Sequence, residues 1–306
     1  MKMIWKLNRR DRKDALFFAS MLIIPTIQFI IFYVGVKFEI ISLSFQTYDP
    51  KTNEFIWDFG ANFQRFFQEF SRVEDFKVAI ENSLIASVFT IGVGISLGLV
   101  FSLYIYHKQF LNSFYRVVLF MPSIISAMVI GLVFAMFVDT AYPDLMYSIT
   151  GEKVKGLFAN PDTQWGTLIF YALWIGFGSP ILMYVGAMSG ISESLSEAAR
   201  LDGCNLVQES WYITLPLIYP TILVYVTTGV ATIFTNQLHL FTFFLSDAHY
   251  SISTMGYWFY VQSKAATSES QLYPYVSAVG LIFTFVAIPM TYFVRWFMKK
   301  VGPKTE

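Results

Sequence analysis

NSLIASVFTIGVGISLGLVFSLYIY, residues Asn82–Tyr106, is a run of twenty-five residues without Asp, Glu, Lys or Arg. A bilayer core about 30 Å thick takes roughly 20 apolar residues in a helix, so this run is long enough to cross one. Its apolar character is continuous, whereas a strand of a membrane barrel alternates over about ten residues. It reads as a transmembrane helix. Five further runs read the same way: Ala15–Val36, Tyr115–Val138, Gly166–Met188, Leu217–Leu240 and Tyr275–Val294. Arg116, at the mouth of the third span, is the one charge among the six.

The rest of the composition agrees. Of 306 residues 55% are hydrophobic, 19% aromatic and only 14% charged, against about 25% charged in soluble domains. With 32 Phe and 18 Tyr the chain is not disordered. A single cysteine, Cys204, excludes an intrachain disulfide framework and a Cys-rich zinc module. Lys and Arg total 21, as do Asp and Glu, which leaves no basic excess for nucleic acid. The expected fold class is an all-α integral membrane protein with six transmembrane helices.

Charge sets the expected topology. With the N-terminus inside, segments 1–14, 107–116, 189–216 and 295–306 hold 13 Lys and Arg, and the outside segments 37–77, 139–165 and 236–274 hold 8. The inside charges crowd the membrane ends, with Arg9, Arg10, Arg12 and Lys13 before the first span and Arg295, Lys299 and Lys300 after the last. Both termini are expected in the cytoplasm. The first apolar run is too long for a signal peptide and lacks a small-residue cleavage site, so it is read as a retained helix. Lys2–Asp14 reads either as a segment lying in the headgroup plane or as a basic tail.

The loops carry their own signals. Residues 37–77 are rich in aromatics (Phe55, Trp57, Phe59, Phe63, Phe66, Phe67, Phe70), and so long a segment is expected to pack on its own face or on a partner. The loop 236–274, with Gly256, Tyr257, Trp258 and Tyr260, is a candidate to dip back into a cavity. Gly94 and Gly98 allow close helix approach, either within the bundle or against a second membrane subunit.

The loop 189–216 holds one Arg against four acids, contrary to the positive-inside trend. It contains ISESLSEAARLDGCNLVQESWYITLP (residues 191–216). Ser192 or Ser194 is placed to cap a short helix, Gly203 to end it in a left-handed turn, and a second short helix from about Leu206 is stopped by Pro216. Together these make a compact knob.

Glu197-Ala198-Ala199, Asp202-Gly203, Ile213-Thr214-Leu215-Pro216 and Pro220 resemble the EAA signature of binding-protein-dependent ABC importer permeases. Met121-Pro122, Trp174 with Gly176 and Gly178, and Ser253-Thr254-Met255 with Tyr257 and Tyr260 are similar to the carbohydrate branch of that family, in its MalF-type subunit. Cys204 and Leu272-Tyr273-Pro274-Tyr275 depart from the pattern. The resemblance covers about residues 78–297. It implies the transmembrane-domain fold of type I ABC importers, with a transport core at 78–297, an N-terminal part at 1–77 (cytoplasmic segment, first helix and external loop) and a cytoplasmic tail at 298–306.

It also implies partners: a second homologous permease subunit, two cytoplasmic ATPase subunits that bind the ATP and Mg, and an external solute-binding protein. The chain itself needs no cofactor, touches membrane lipid and lies in a bacterial or archaeal cytoplasmic membrane. Glu197, Ala198, Ala199, Arg200, Asp202 and Gly203 would form the coupling element seated in an ATPase groove, where small residues allow close approach and Glu197 and Arg200 pair at the rim. A charge introduced at Gly203 is expected to be buried there without a partner. An uncharged pathway suits a neutral polar solute such as a sugar or oligosaccharide, with Trp174, Tyr184, Asn236, Gln237, Tyr257 and Trp258 as candidate lining groups.

No GxxxxGK[ST], HExxH, GxSxG or CxxC occurs, so no P-loop, catalytic residue or metal site is expected. His107, His239 and His249 are scattered. The alternative reading is an ion-coupled secondary transporter of a small polar solute. Such machines usually carry ionisable groups within their spans, and these spans lack them.

Overall fold

A computed structural model describes residues 9–176 and 178–303. Six helices are long and apolar enough to cross a membrane: Phe17–Ser44, Glu74–Tyr106, Ala127–Thr150, Pro161–Ser189, Leu206–Ala231 and Ser270–Val301. The chain is a multi-pass membrane protein. Residues 2–8 of the segment Lys2–Asp14 lie outside the described residues, as do residues 304–306 of the tail, and Arg9–Asp14 are helical.

All six helices depart from the limits of the apolar runs, mostly by extending beyond them, and in two the run itself is interrupted. The third does not run Tyr115–Val138. A helix Asn112–Ile124 stops where Ile125 (φ −73°, ψ 145°) and Ser126 (φ −52°, ψ 127°) turn extended, and the span proper starts at Ala127. Pro122 withholds one helical N–H from this last turn, and Ser123 turns its hydroxyl back to the Phe120 carbonyl (2.7 Å). The span then continues past Asp139 to Thr150, where Gly151 (φ 74°) ends it. Asp139 serves the fold, accepting the Phe158 N–H at 2.9 Å.

The fifth span ends at Ala231 rather than Leu240. Asn236 Oδ1 accepts the Leu238 N–H at 2.9 Å, and Leu238 and His239 adopt φ of 51° and 58°. A side chain that bonds its own backbone in this way competes with the helix. Asn236 and Gln237 therefore sit in a turn that leads to a short helix, Leu240–Phe244.

The described structure divides into two compact units, one containing the chain up to Gln68 with Ala265–Ile282, the other Glu69–Lys264 with the segment from Phe283 onward. In the first, a two-stranded antiparallel hairpin (Gln46–Asp49 with Glu54–Trp57) follows the first span directly, with Gln46 opposite Trp57. Phe45 packs on Phe59 and Phe63, with ring centroids 5.8 and 5.5 Å apart. Asn62 donates to the Ser44 and Gln46 carbonyls (3.2 and 2.7 Å). Asp58 accepts the amides of Gly60 and Ala61 at the start of the helix Ala61–Arg72, which holds its carboxyl below the ordinary value. The aromatic loop thus folds on itself.

In the second unit an aromatic core gathers Phe134, Phe158, Leu168, Tyr171, Leu238, Leu240 and Tyr257. The Phe134–Tyr171 and Phe158–Phe243 centroids stand 4.8 and 4.6 Å apart. A smaller cluster joins Tyr184, Met188 and Ile218. Gly94 and Gly98 pack inside the bundle. A Cβ at Gly98 would lie 3.5 Å from the Tyr184 ring and 3.6 Å from Pro180, and one at Gly94 would lie 3.6 Å from Leu173. Small residues thus bring the second span close against the fourth.

Candidate functional site

A cavity of about 390 Å³ opens between the second, fourth and fifth spans. Ser87, Thr90, Ser179, Tyr225, Thr228, Thr232, Asn236 and His239 supply its polar lining, and no Asp, Glu, Lys or Arg lines it. Helix periodicity creates this face. Ser87 and Thr90 stand three apart on the second span, while Thr228 and Thr232 stand four apart where the fifth ends.

Their hydroxyl protons are already directed elsewhere. Ser87 donates to Ser83 O (2.8 Å), Thr90 to Ala86 O (2.9 Å) and Thr232 to Gly229 O (3.0 Å). Each oxygen therefore has only acceptor capacity left for a solute. Ser87, Thr90 and Thr232 thus give the wall three fixed, uncharged acceptors.

On one side the cavity meets a folded-back loop. Asn236 O accepts the Thr254 hydroxyl (3.0 Å), and Asn82 Nδ2 donates to the carbonyls of Ser251 and Ser253 (2.9 Å each). Ser83 Oγ accepts the Met255 N–H at 2.9 Å. The Ser253-Thr254-Met255 element is thereby pinned to the start of the second span.

The knob between the fourth and fifth spans is built from local bonds. Helix Glu193–Leu201 ends in a Schellman turn, with Gly203 (φ 82°) N–H bonded to Arg200 O (3.1 Å) and Cys204 N–H to Ala199 O (2.9 Å). Ser192 occupies the cap position, but its hydroxyl bonds Ser194 and not the helix. The second short helix expected to stop at Pro216 is instead the start of the fifth span, which runs Leu206–Ala231 through that proline. It opens with a capping box in which Asn205 Oδ1 accepts the Gln208 N–H and Gln208 Oε1 the Asn205 N–H, both at 2.9 Å. Leu201 (89% exposed) and Val207 (76%) flank the elbow.

Of the six residues expected at the coupling element, Glu197, Ala198, Asp202 and Gly203 are exposed and Ala199 is buried. Arg200, exposed along most of its length, turns toward Glu209, its Nε 3.9 Å from Oε2. A Cβ at Gly203 would meet nothing within 4 Å. Within this chain a side chain there stands in open space, and the demand for glycine is conformational. Beside this loop, burial holds the His107 imidazole below its ordinary value, with the Glu209 carboxylate pulling the other way.

Among the residues expected to line the pathway, Asn236 lines the cavity. The other five stand elsewhere. Tyr184 lies fully buried in the smaller cluster, Trp174 packs on Phe134 (5.9 Å) and Trp258 on Phe76 (5.0 Å). Tyr257 accepts the Ala248 N–H and donates to Leu245 O, each at 3.0 Å, and Gln237 Oε1 is buried. The hydroxyl residues that do line the cavity were missed. Their signal was spacing: Ser87 and Thr90 stand three residues apart within an apolar run, and Thr228 and Thr232 four apart within another.

Six apolar spans, an uncharged polar cavity between three of them and an exposed knob on one loop are the features of a membrane transport subunit. The chain belongs to the binding-protein-dependent transport system inner membrane component family, whose model matches residues 91–306. That membership sets aside the ion-coupled alternative. The arabinooligosaccharides transport system permease protein AraP of Halalkalibacterium halodurans is 27% identical over 237 residues, covering 72% of this chain and 71% of that one. The multiple sugar-binding transport system permease protein MsmF of Streptococcus mutans is 24% identical, covering 86% and 88%. A crystal structure of a bacterial ABC transporter involved in import of the acidic polysaccharide alginate has a chain with TM-score 0.77 and 20% identity, covering 95% of this chain and 98% of that one. This chain shares its fold.

Proposed function

We propose that this chain is one permease half of an ATP-driven importer for a neutral sugar or oligosaccharide. A second homologous permease completes the pathway, two cytoplasmic ATPase subunits bind ATP and Mg, and an external solute-binding protein delivers the cargo. Residues 78–297 form the transport core in the cytoplasmic membrane of a bacterium or archaeon, and both termini are cytoplasmic.

The cavity wall carries the reading of the cargo. Its Ser87, Thr90 and Thr232 oxygens only accept, which suits a solute dense in O–H donors, and the lack of charged lining disfavours an acidic one. The relatives named for arabinooligosaccharides and multiple sugars support the same class. Of the six pathway candidates, Asn236 is retained, joined by Thr228, Thr232 and His239.

The knob supports the mechanism. Exposed Leu201 and Val207 offer an apolar contact to an ATPase groove, with Glu197 and Asp202 at its rim. Glu197, Ala198, Ala199, Arg200, Asp202 and Gly203 would then carry the stroke of the ATPases to the spans.

Reconstitution tests this. In proteoliposomes holding the purified complex, uptake of neutral oligosaccharides requires ATP and the binding protein, and it survives ionophores. Accumulation by this chain alone on an ion gradient refutes the proposal, and preferential uptake of uronate oligosaccharides refutes the neutral cargo.

A further inference from the structure

Among the described residues, Glu209 is the only Asp, Glu, Lys or Arg that is buried, at 1% exposure. Neither of its carboxylate oxygens receives a hydrogen bond. A carboxylate withdrawn from water in this way depends on its counter-charge, here the Arg200 guanidinium, which reaches in from the first knob helix.

The next residue makes a second link. Ser210 donates its hydroxyl proton to Leu206 O (2.7 Å), so its oxygen, 2.9 Å from His107 Nε2, accepts from the imidazole N–H. His107 caps the end of the second span. Arg200, Glu209, Ser210 and His107 thus join the knob helix to one end each of the second and fifth spans, which line the cavity at residues 87–95 and 225–232.

We propose that Glu209 is a positioning residue of the coupling loop: by holding Arg200 beside the His107–Ser210 bond, it fastens the knob helix to the two spans that wall the cavity. This rests on the transport reading above for its purpose, but not for its geometry. Motion imposed on Glu193–Leu201 then moves both spans instead of flexing the Gly203 elbow.

The geometry is tested in the full-length chain carrying Cys204→Ser and Leu201→Cys, spin-labelled at the exposed position 201. Glu209→Gln and Arg200→Gln each convert an ordered label into a mobile one, the double variant goes no further than either, and Glu209→Asp keeps most of the order. In the assembled transporter, ATP hydrolysed per solute rises about fivefold in each single variant and no further in the double. Unchanged label mobility in Glu209→Gln, or single effects that multiply in the double, overturns the proposal. Failure of the unmutated chain to associate with an ATPase would defeat the transport reading instead, and the label comparison would still decide the link.

Discussion

Gly256 lies against the backbone of Asn236, so close that a Cβ on the glycine would stand 2.5 Å from the asparagine carbonyl oxygen. Backbone cannot yield as a flexible side-chain tip can. Gly256→Ala is expected to push the folded-back loop off the end of the fifth span and to cost about 1–3 kcal/mol. Thermal unfolding in detergent measures it, with Gly256→Val lower still. An alanine variant as stable as the parent would show that the loop is not held where we describe it.

At the knob the requirement is for backbone conformation alone. Gly203 adopts φ of 82° with open space around it. Asn, which enters the left-handed region readily, is expected to preserve coupling, whereas Val costs about 1–2 kcal/mol and distorts the turn. The ratio of transport to ATP hydrolysis should rank Gly, Asn, Ala, Val. A Val variant equal to Gly would argue against a rigid elbow.

A charge in the cavity should be poorly tolerated. Thr228→Glu places a carboxylate among acceptor oxygens with no lining cation. Saccharide uptake is expected to fall by well over about tenfold, since the hydrated carboxylate stands exposed at the cavity wall beside acceptor oxygens and holds water where the solute must pass. Thr228→Ser should transport normally. Labelled-oligosaccharide flux in vesicles reads both.

His107 gives the knob a pH dependence of defined sign. Its folded value lies below the ordinary 6.5 because of burial, reinforced by Arg200 and opposed by Glu209. As pH falls below about 6.5 the unfolded chain takes up this proton first, so the stabilisation present above that pH is lost on acidification. Thermal midpoints compared from about pH 8 to about 5.5 should fall more steeply for the parent than for His107→Gln. Parallel curves would remove His107 as the cause.

The six spans were legible because each is an uncharged run, and hydropathy alone carries that information. Their limits were less so. Ile233, Phe234, Leu238 and Leu240 continue the apolar text of the fifth span, while in space its helix ends at Ala231, and the Asn236 side chain and two left-handed residues turn the chain before Leu240. Pro122 sits in an equally apolar run, and only the backbone reveals the break at Ile125. At the site, Trp174, Tyr184, Tyr257 and Trp258 were chosen for chemistry suited to sugars, but large rings fill cores first. Ser87, Thr90 and Thr232 looked neutral within their helices, and their meaning came from which face they share. At the knob the left-handed Gly203 was legible residue by residue, whereas the Asn205–Gln208 capping box was not read and Pro216 does not stop the helix that follows.

The bonds that shape the knob join near neighbours, as in Asn205 with Gln208, three positions apart. Those that fasten the folded-back loop join Asn82 to Ser251 and Ser83 to Met255, 169 and 172 positions apart. Short-range contacts close first and long-range ones wait for the chain between them. During synthesis the knob is therefore complete before the last span has left the ribosome, and the clasp on the second span is among the final events of maturation. A chain stalled before Ser251 would carry a finished coupling element on an unlatched bundle.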